Sequence, residues 1–183
     1  VPDGCDDTPN GDVTLFWSSS SEAHATLSYE SNVNIYGFQL NVEGVDLTFA
    51  YDGVLDIQYN EDTQNVIGVS ILGESLSAGE GTLITFEFVP EIEGAILSLS
   101  DIIVAGNQNN PASLSVTPPG DIDIVPCQNN DNDSFCNTVD ICPEDIENDA
   151  DGDGLCSNDD ECPYDPDNDI DGDGICGDID NCV

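Results

Sequence analysis

Apolar and polar residues alternate through much of the first two-thirds of the chain. Val13, Leu15 and Trp17 fall on one side of an extended segment, and Tyr36, Phe38, Leu40 and Val42 on one side of another. Ile67, Val69 and Ile71 form a further face, and Ile84, Phe86 and Phe88 alternate with Thr85 and Glu87. A period of two at this length predicts strands with one buried face. Further strands are expected over Ala25 to Tyr29, Val45 to Phe49, Val54 to Tyr59, Ala95 to Leu99, Ile102 to Ala105 and Ser113 to Val116. Gly, Asn, Asp and Ser separate them, and no stretch has helical periodicity. About nine such strands in roughly one hundred residues predict a jelly-roll-like β-sandwich over residues 12–117, with enough apolar surface for its own core. Residues 1–11 precede it as an extension carrying Cys5.

The pattern changes after Thr117. Thr117-Pro118-Pro119-Gly120 opens a proline-rich, semi-rigid linker expected over residues 118–126. From residue 127 to 183, alternation gives way to a twenty-residue repeat of aspartate and cysteine. Asn129, Asp131, Asp133 and Asp140 open the set. Asp149, Asp151, Asp153 and Asp160 repeat it, followed by Asp169, Asp171, Asp173 and Asp180. Cys136, Cys156 and Cys176 share one phase, and Cys142, Cys162 and Cys182 another. A disordered acidic tail would not hold cysteine, glycine and aspartate in one phase over three periods.

Calcium chemistry accounts for this spacing. The ion is hard and takes six to eight oxygens. Carboxylates at positions one, three and five of a tight loop converge on one ion, a backbone carbonyl at position seven adds a ligand, and an acid at position twelve closes the shell. The expected ligands are therefore Asn129, Asp131, Asp133, Phe135 and Asp140 in the first loop. They are Asp149, Asp151, Asp153, Leu155 and Asp160 in the second, and Asp169, Asp171, Asp173, Ile175 and Asp180 in the third. Phe135, Leu155 and Ile175 contribute only their carbonyls. Gly154 and Gly174 serve the turn at position six. Ser134 replaces that glycine in the first loop, where lower affinity is expected. About three or more Ca²⁺ ions are expected. The loops are not EF-hands, because the spacers from Cys142 to Asn148 and from Cys162 to Asn168 are short and carry Pro143, Pro163 and Pro166. The same argument excludes an ordinary dockerin. An irregular chain wound around its ions fits, with metal and disulfides in place of a hydrophobic core.

Composition sharpens this reading. The 183 residues include 39 carboxylates, one His, and no Lys or Arg, for a formal charge of −39. A typical chain devotes roughly a tenth of its residues to Lys and Arg. Side-chain salt bridges to Lys or Arg are therefore impossible, and water, backbone N–H groups or bound cations must satisfy the acids. Nucleic acid and anionic membranes are poor partners for such a chain. Adaptation to saline water and resistance to proteases that cut after Lys or Arg are two plainer readings of the same composition, and both are compatible with calcium binding. Eight cysteines beside calcium loops imply an oxidising, extracellular setting, secreted or at the cell surface. No apolar run reaches transmembrane length, and no signal peptide is visible. A chain starting at Val1 is expected to be a mature or excised segment.

The run Cys-Pro-Tyr-Asp-Pro-Asp-Asn-Asp-Ile-Asp-Gly-Asp-Gly-Ile-Cys, Cys162 to Cys176, resembles a thrombospondin type 3 repeat, and the resemblance extends from about Cys127 to Cys182. It implies a stiff, calcium-binding, disulfide-stapled extracellular segment. Two simple disulfide schemes stand. Cys127–Cys136, Cys142–Cys156 and Cys162–Cys176 looks like the sequential pairing of that family and leaves Cys5 and Cys182. The other pairs Cys136–Cys142, Cys156–Cys162 and Cys176–Cys182 and leaves Cys5 with Cys127.

In the first domain, Ile35-Tyr36-Gly37-Phe38-Gln39-Leu40-Asn41-Val42, Gly81-Thr82-Leu83-Ile84-Thr85-Phe86-Glu87-Phe88 and Leu97-Ser98-Leu99-Ser100 resemble cohesin-like domains. The resemblance implies a nine-stranded jelly roll that binds partner modules, often calcium-loaded dockerins. Together the two resemblances imply an extracellular structural protein, a subunit or repeat unit of a fibre, stalk or adhesin. It would self-associate head to tail, the calcium rod of one copy on the sandwich of the next. The alternative is a cell-surface module that binds a glycan or a dockerin-like partner on a calcium-stiffened spacer. No catalysis is expected, since the chain has few general bases beyond its carboxylates, and carboxylate pairs are uninformative in a chain this acidic. His24 is expected at the surface or rim. Trp17 and the tyrosines could form a sugar-stacking platform, but core packing is the more frequent role for such residues and is the one expected. The sequon at Asn132 falls inside the first calcium loop, where the match is accidental.

Overall fold

Strand β1 (Asp12–Ser20) turns Val13 and Leu15 into the core, as their alternation predicts. The structure is a computed structural model that describes residues 11–106 and 114–180. Nine further strands follow: β2 (His24–Ser31), β3 (Gly37–Glu43), β4 (Leu47–Tyr51), β5 (Asp56–Asn60), β6 (Asn65–Val69), β7 (Gly79–Phe88), β8 (Ala95–Ala105), β9 (Ser115–Thr117) and β10 (Ile122–Ile124). They form two five-stranded sheets, ordered β4-β7-β2-β1-β9 and β10-β8-β3-β6-β5. All pairs are antiparallel except β1 with β9. The fold is all-β, with no helix among the described residues, and no helix is long and apolar enough to cross a membrane.

The inner faces of both sheets supply one core. Leu27, Ile35, Leu40, Val66, Leu83, Ile84, Phe86, Leu97 and Val104 are fully enclosed in it. Each large side chain buried this way contributes about 1.5–3 kcal/mol. A register shift between Leu27 and Ser28 opposite β7 lets the adjacent Leu83 and Ile84 both face inward. That bulge is invisible to a strict period of two. Trp17 packs edge-on against Phe86, with ring centroids 6.1 Å apart, and its Nε1 donates to the Gly120 carbonyl at 2.7 Å. It therefore belongs to the packing of the sandwich.

Three sequence expectations are corrected. The face Ile67, Val69 and Ile71 is not the buried one. Val66 is enclosed, and Gly68 lies directly under the Phe38 ring, while Ile67 and Ile71 are exposed. With apolar residues on both faces of β6, alternation alone cannot choose between them. The two strands expected at Ala95 to Leu99 and Ile102 to Ala105 are one strand, β8. Asp101 (φ 50°) forms a bulge where the pairing with β3 slips between Gln39 and Asn41. The expected linker also contains a strand, since Ile122–Ile124 pairs with β8 and buries Ile124.

The chain divides into two compact units, Val1–Pro126 and Cys127–Val183. The second contains turns and bends but no strand among its described residues. Its buried residues there are Cys127, Cys136, Cys142, Cys162, Asp145 and Asp165. Disulfides join Cys127 to Cys136, Cys142 to Cys156 and Cys162 to Cys176. This is the sequential scheme, and it removes the one pairing Cys5 with Cys127. Cys5 and Cys182 lie outside the described residues.

Candidate metal centre

Each loop is built by aspartates that bind the backbone just ahead of them. Asp151 Oδ1 accepts the Asp153 N–H at 3.2 Å, and Asp153 Oδ1 accepts the Leu155 N–H at 2.8 Å. Asp171 and Asp173 repeat this with Asp173 and Ile175 at 3.2 and 3.0 Å, as do Asp131 and Asp133 with Asp133 and Phe135 at 3.1 and 2.6 Å. Aspartate favours such local turns. The first-position acids hold two glycines each: Asp149 accepts from Gly152 and Gly154, and Asp169 from Gly172 and Gly174. All four glycines have left-handed backbone, with φ from 76° to 96°. In the first loop Asn132 (φ 63°) takes one left-handed position, while Ser134 stays out of that region.

These turns gather the carboxylates. Asp131, Asp133 and Asp140 bring ligand oxygens within 4.8 Å of one another, as do Asp149, Asp151 and Asp153, and Asp169, Asp171 and Asp173. Asp140 thus joins its loop from position twelve. Asp160 lies close enough to Asp151 for its charge to be felt there. Asp140 Oδ1 and Asp160 Oδ1 each accept the N–H two residues on, from Cys142 and Cys162, both at 2.8 Å. Asp180 donates its N–H to the Cys176 carbonyl at 2.9 Å. Asn129 accepts from the Asn132 N–H and donates to the Asp133 carbonyl, so its side chain braces the first loop. Phe135, Leu155 and Ile175 leave their side chains exposed.

The decisive feature is a set of buried oxygens. Oδ2 of Asp131, of Asp140 and of Asp151 is enclosed and accepts no hydrogen bond. A buried carboxylate oxygen without a donor is costly, and this chain has no Lys or Arg to approach it. Desolvation raises the Asp151 carboxyl above its usual range; the Asp153 N–H opposes this, and the charges of Asp153, Asp160 and Asp149 add to it. Asp169 is lowered instead, first by the Gly174 N–H and then by those of Gly172 and Asp173. Such oxygens suit a hard cation, and the all-oxygen donor set suits calcium rather than zinc or copper.

Two residues that the sequence reading passed over hold the spacers. Asp145 and Asp165 are buried, and backbone N–H groups satisfy both oxygens of each. Glu147 and Asn158 donate to Asp145 at 3.1 and 2.7 Å, and Asp167 and Asp178 to Asp165 at 3.2 and 2.8 Å. Their shared phase after Cys-Pro was the available signal. Asp145→Ala strands the N–H groups of Glu147 and Asn158, each worth about 1–3 kcal/mol if left unpaired. The expected result is faster hydrogen exchange around residues 142–158, with exchange in the sandwich unchanged.

His24, on the outer side of β2, stands 3.7 Å from Glu87 and is half exposed, as a rim residue would be.

No protein-family model matches the chain. No curated protein matches it. Among solved structures, the chain is similar to a non-cellulosomal cohesin from Archaeoglobus fulgidus (18% identity, TM-score 0.44, covering 62% of this chain and 91% of that one). It is also similar to a type I cohesin–dockerin complex from Clostridium thermocellum (11%, 0.46, 64% and 94%) and a cohesin module from a Clostridium perfringens family 33 glycoside hydrolase (16%, 0.44, 64% and 98%). These likenesses are too distant to bring a partner or an activity to this chain. The thrombospondin type 3 resemblance rests on residue pattern alone.

Proposed function

We propose that this protein is a calcium-binding, non-enzymatic structural subunit or repeat unit of an extracellular fibre, stalk or adhesin. The observation that carries the reading is the buried, unpaired carboxylate oxygen recurring in phase-locked aspartate clusters of a chain without Lys or Arg. Calcium supplies the positive charge that these oxygens lack. Asp131, Asp133 and Asp140 would hold it in the first loop. Asp149, Asp151, Asp153 and Asp160 would hold it in the second, and Asp169, Asp171, Asp173 and Asp180 in the third. Asn129 and the carbonyls of Phe135, Leu155 and Ile175 would complete the shells. The disulfides support an extracellular site of action.

In this reading copies associate head to tail, the calcium segment of one on the sandwich of the next. A heterologous contact of this kind propagates into a filament when its rotation does not close a ring. Two such acidic surfaces repel unless cations lie between them, which makes assembly depend on calcium twice. Electron microscopy of the native material in millimolar calcium, with and without chelator, tests this. Filaments that loosen on chelation support it, and single particles in both conditions sink it.

A second reading, a glycan-binding or dockerin-like-partner module, draws on one observation. Phe49 and Tyr51 are exposed side by side on β4, with ring centroids 5.8 Å apart, and Phe49 meets Tyr59 edge-on. Aromatic pairs of this kind stack on sugars. Glycan-array binding by the chain, lost in Phe49→Ala, favours this reading.

A further inference from the structure

Residues 128, 148 and 168 share one phase, each immediately before the first ligand position of a loop. Their carbonyls do the same job. Those of Gln128, Asn148 and Asn168 accept the N–H groups of Asn137, Ser157 and Gly177 at 2.8, 2.8 and 2.9 Å. The side chains of the two asparagines do something more. Asn148 Nδ2 donates to Asp133 Oδ2 at 2.7 Å, and Asn168 Nδ2 to Asp153 Oδ2 at 2.5 Å. Each asparagine thereby joins the fifth-position carboxylate of the preceding loop to the peptide that presents the first-position carboxylate of its own. Gln128 has no loop before it, and there the asparagine is not kept.

The plain alternative is that asparagine is present for its backbone. Asn148 and Asn168 are both left-handed, at φ 57°. Glycine adopts that conformation more readily, and the repeat already uses Gly152, Gly154, Gly172 and Gly174 in this way. What asparagine adds over glycine is the amide.

We propose that Asn148 and Asn168 are positioning residues that couple neighbouring ion loops, so that filling one loop raises the affinity of the next. This rests on the calcium reading above. Asp133 is held at Oδ1 by the Phe135 N–H and at Oδ2 by the Asn148 amide. An ion that fixes Asp133 therefore also orders Asn148, and through one peptide bond Asp149. The ordering cost of the second loop is then partly met before its ion arrives, which is positive coupling. The Cys142–Cys156 disulfide closes the chain around the same junction, so the restraint is not lost along a slack spacer.

The test is calcium titration of the full chain by calorimetry, wild type against Asn148→Gly, Asn168→Gly and the double variant. Glycine keeps the left-handed backbone and removes the donor. The expected result is the same number of ions and the same disulfides by peptide mapping, but coupling between successive ions reduced about tenfold, with the Hill slope of the double variant falling towards one. If the glycine variants fail to form their disulfides, Asn148→Asp and Asn168→Asp keep the shape but set a second carboxylate against Asp133 or Asp153. The affinity of each loop then shifts with the added charge, and the Hill slope, which is expected to fall as in the glycine variants, is the quantity read. Equal weakening at every loop with an unchanged slope would overturn the coupling and leave only a structural role. Non-cooperative binding by the wild type would also overturn it while the calcium reading stands. A wild type that binds no calcium removes the calcium reading itself.

Discussion

Chelating calcium from the full chain is expected to unfold the second unit, described from residue 127 to 180, and to leave the sandwich folded. The two units are held by different forces. The sandwich encloses a continuous apolar core from Val13 to Ile124. The buried residues of the second unit are four cysteines and two aspartates among those described, so burial of aliphatic and aromatic side chains contributes little there. Once its ions leave, carboxylates gathered within 4.8 Å repel one another with no cationic side chain to offset them. At calcium ten times the dissociation constant, each loop stabilises the folded unit by about 1.4 kcal/mol. Extracellular-type loops have constants of about 10⁻⁴–10⁻³ M, so millimolar calcium is where this matters. Hydrogen exchange read by mass spectrometry separates the units, and Trp17, packed on Phe86, reports on the sandwich by fluorescence. Exchange rising only after residue 126, with Trp17 emission unchanged, is the expected outcome. Both units melting together would contradict it.

Replacing Cys142 and Cys156 by serine is expected to be nearly as damaging. The bridge closes a segment with a sequence separation of 14. Removing a cross-link of that span costs about 3 kcal/mol, and this unit has no apolar core to absorb the loss. Because ion binding and ordering are linked, the cost reappears as calcium affinity weaker by about a hundredfold. Calcium titration of the variant measures it directly. Unaltered affinity would mean that the loops are ordered without the bridge.

The unequal legibility of the two halves has a physical cause. In the repeat, the proposed ion ligands also build the turns, so the phase of Asp149, Asp151 and Asp153 shows in the sequence what their turns gather in space. The buried Asp145 and Asp165, and the amides of Asn148 and Asn168, share that phase. Each has a partner 13 to 15 residues away, however, and a motif centred on ion ligands does not include it. In the sandwich, alternation placed Val13, Leu15, Phe38, Leu40, Ile84 and Phe86 inside, as the structure does. It failed where apolar residues lie on both faces, as on β6, and where a bulge resets the period, as at Leu83 and Asp101. It also failed at β10, a three-residue strand too short to carry a periodic signal. Pairing with β8 makes it a strand, and pairing is a long-range property.

The most direct test of the central claim is native mass spectrometry of the purified full chain, exchanged into millimolar calcium and, separately, into magnesium at equal concentration. Three or more calcium ions retained per chain, with the count falling by two when Asp151 and Asp171, one from each of two clusters, are replaced by alanine, is the result predicted here. A chain that retains no calcium, or that holds magnesium equally well and is unaffected by those substitutions, would contradict it.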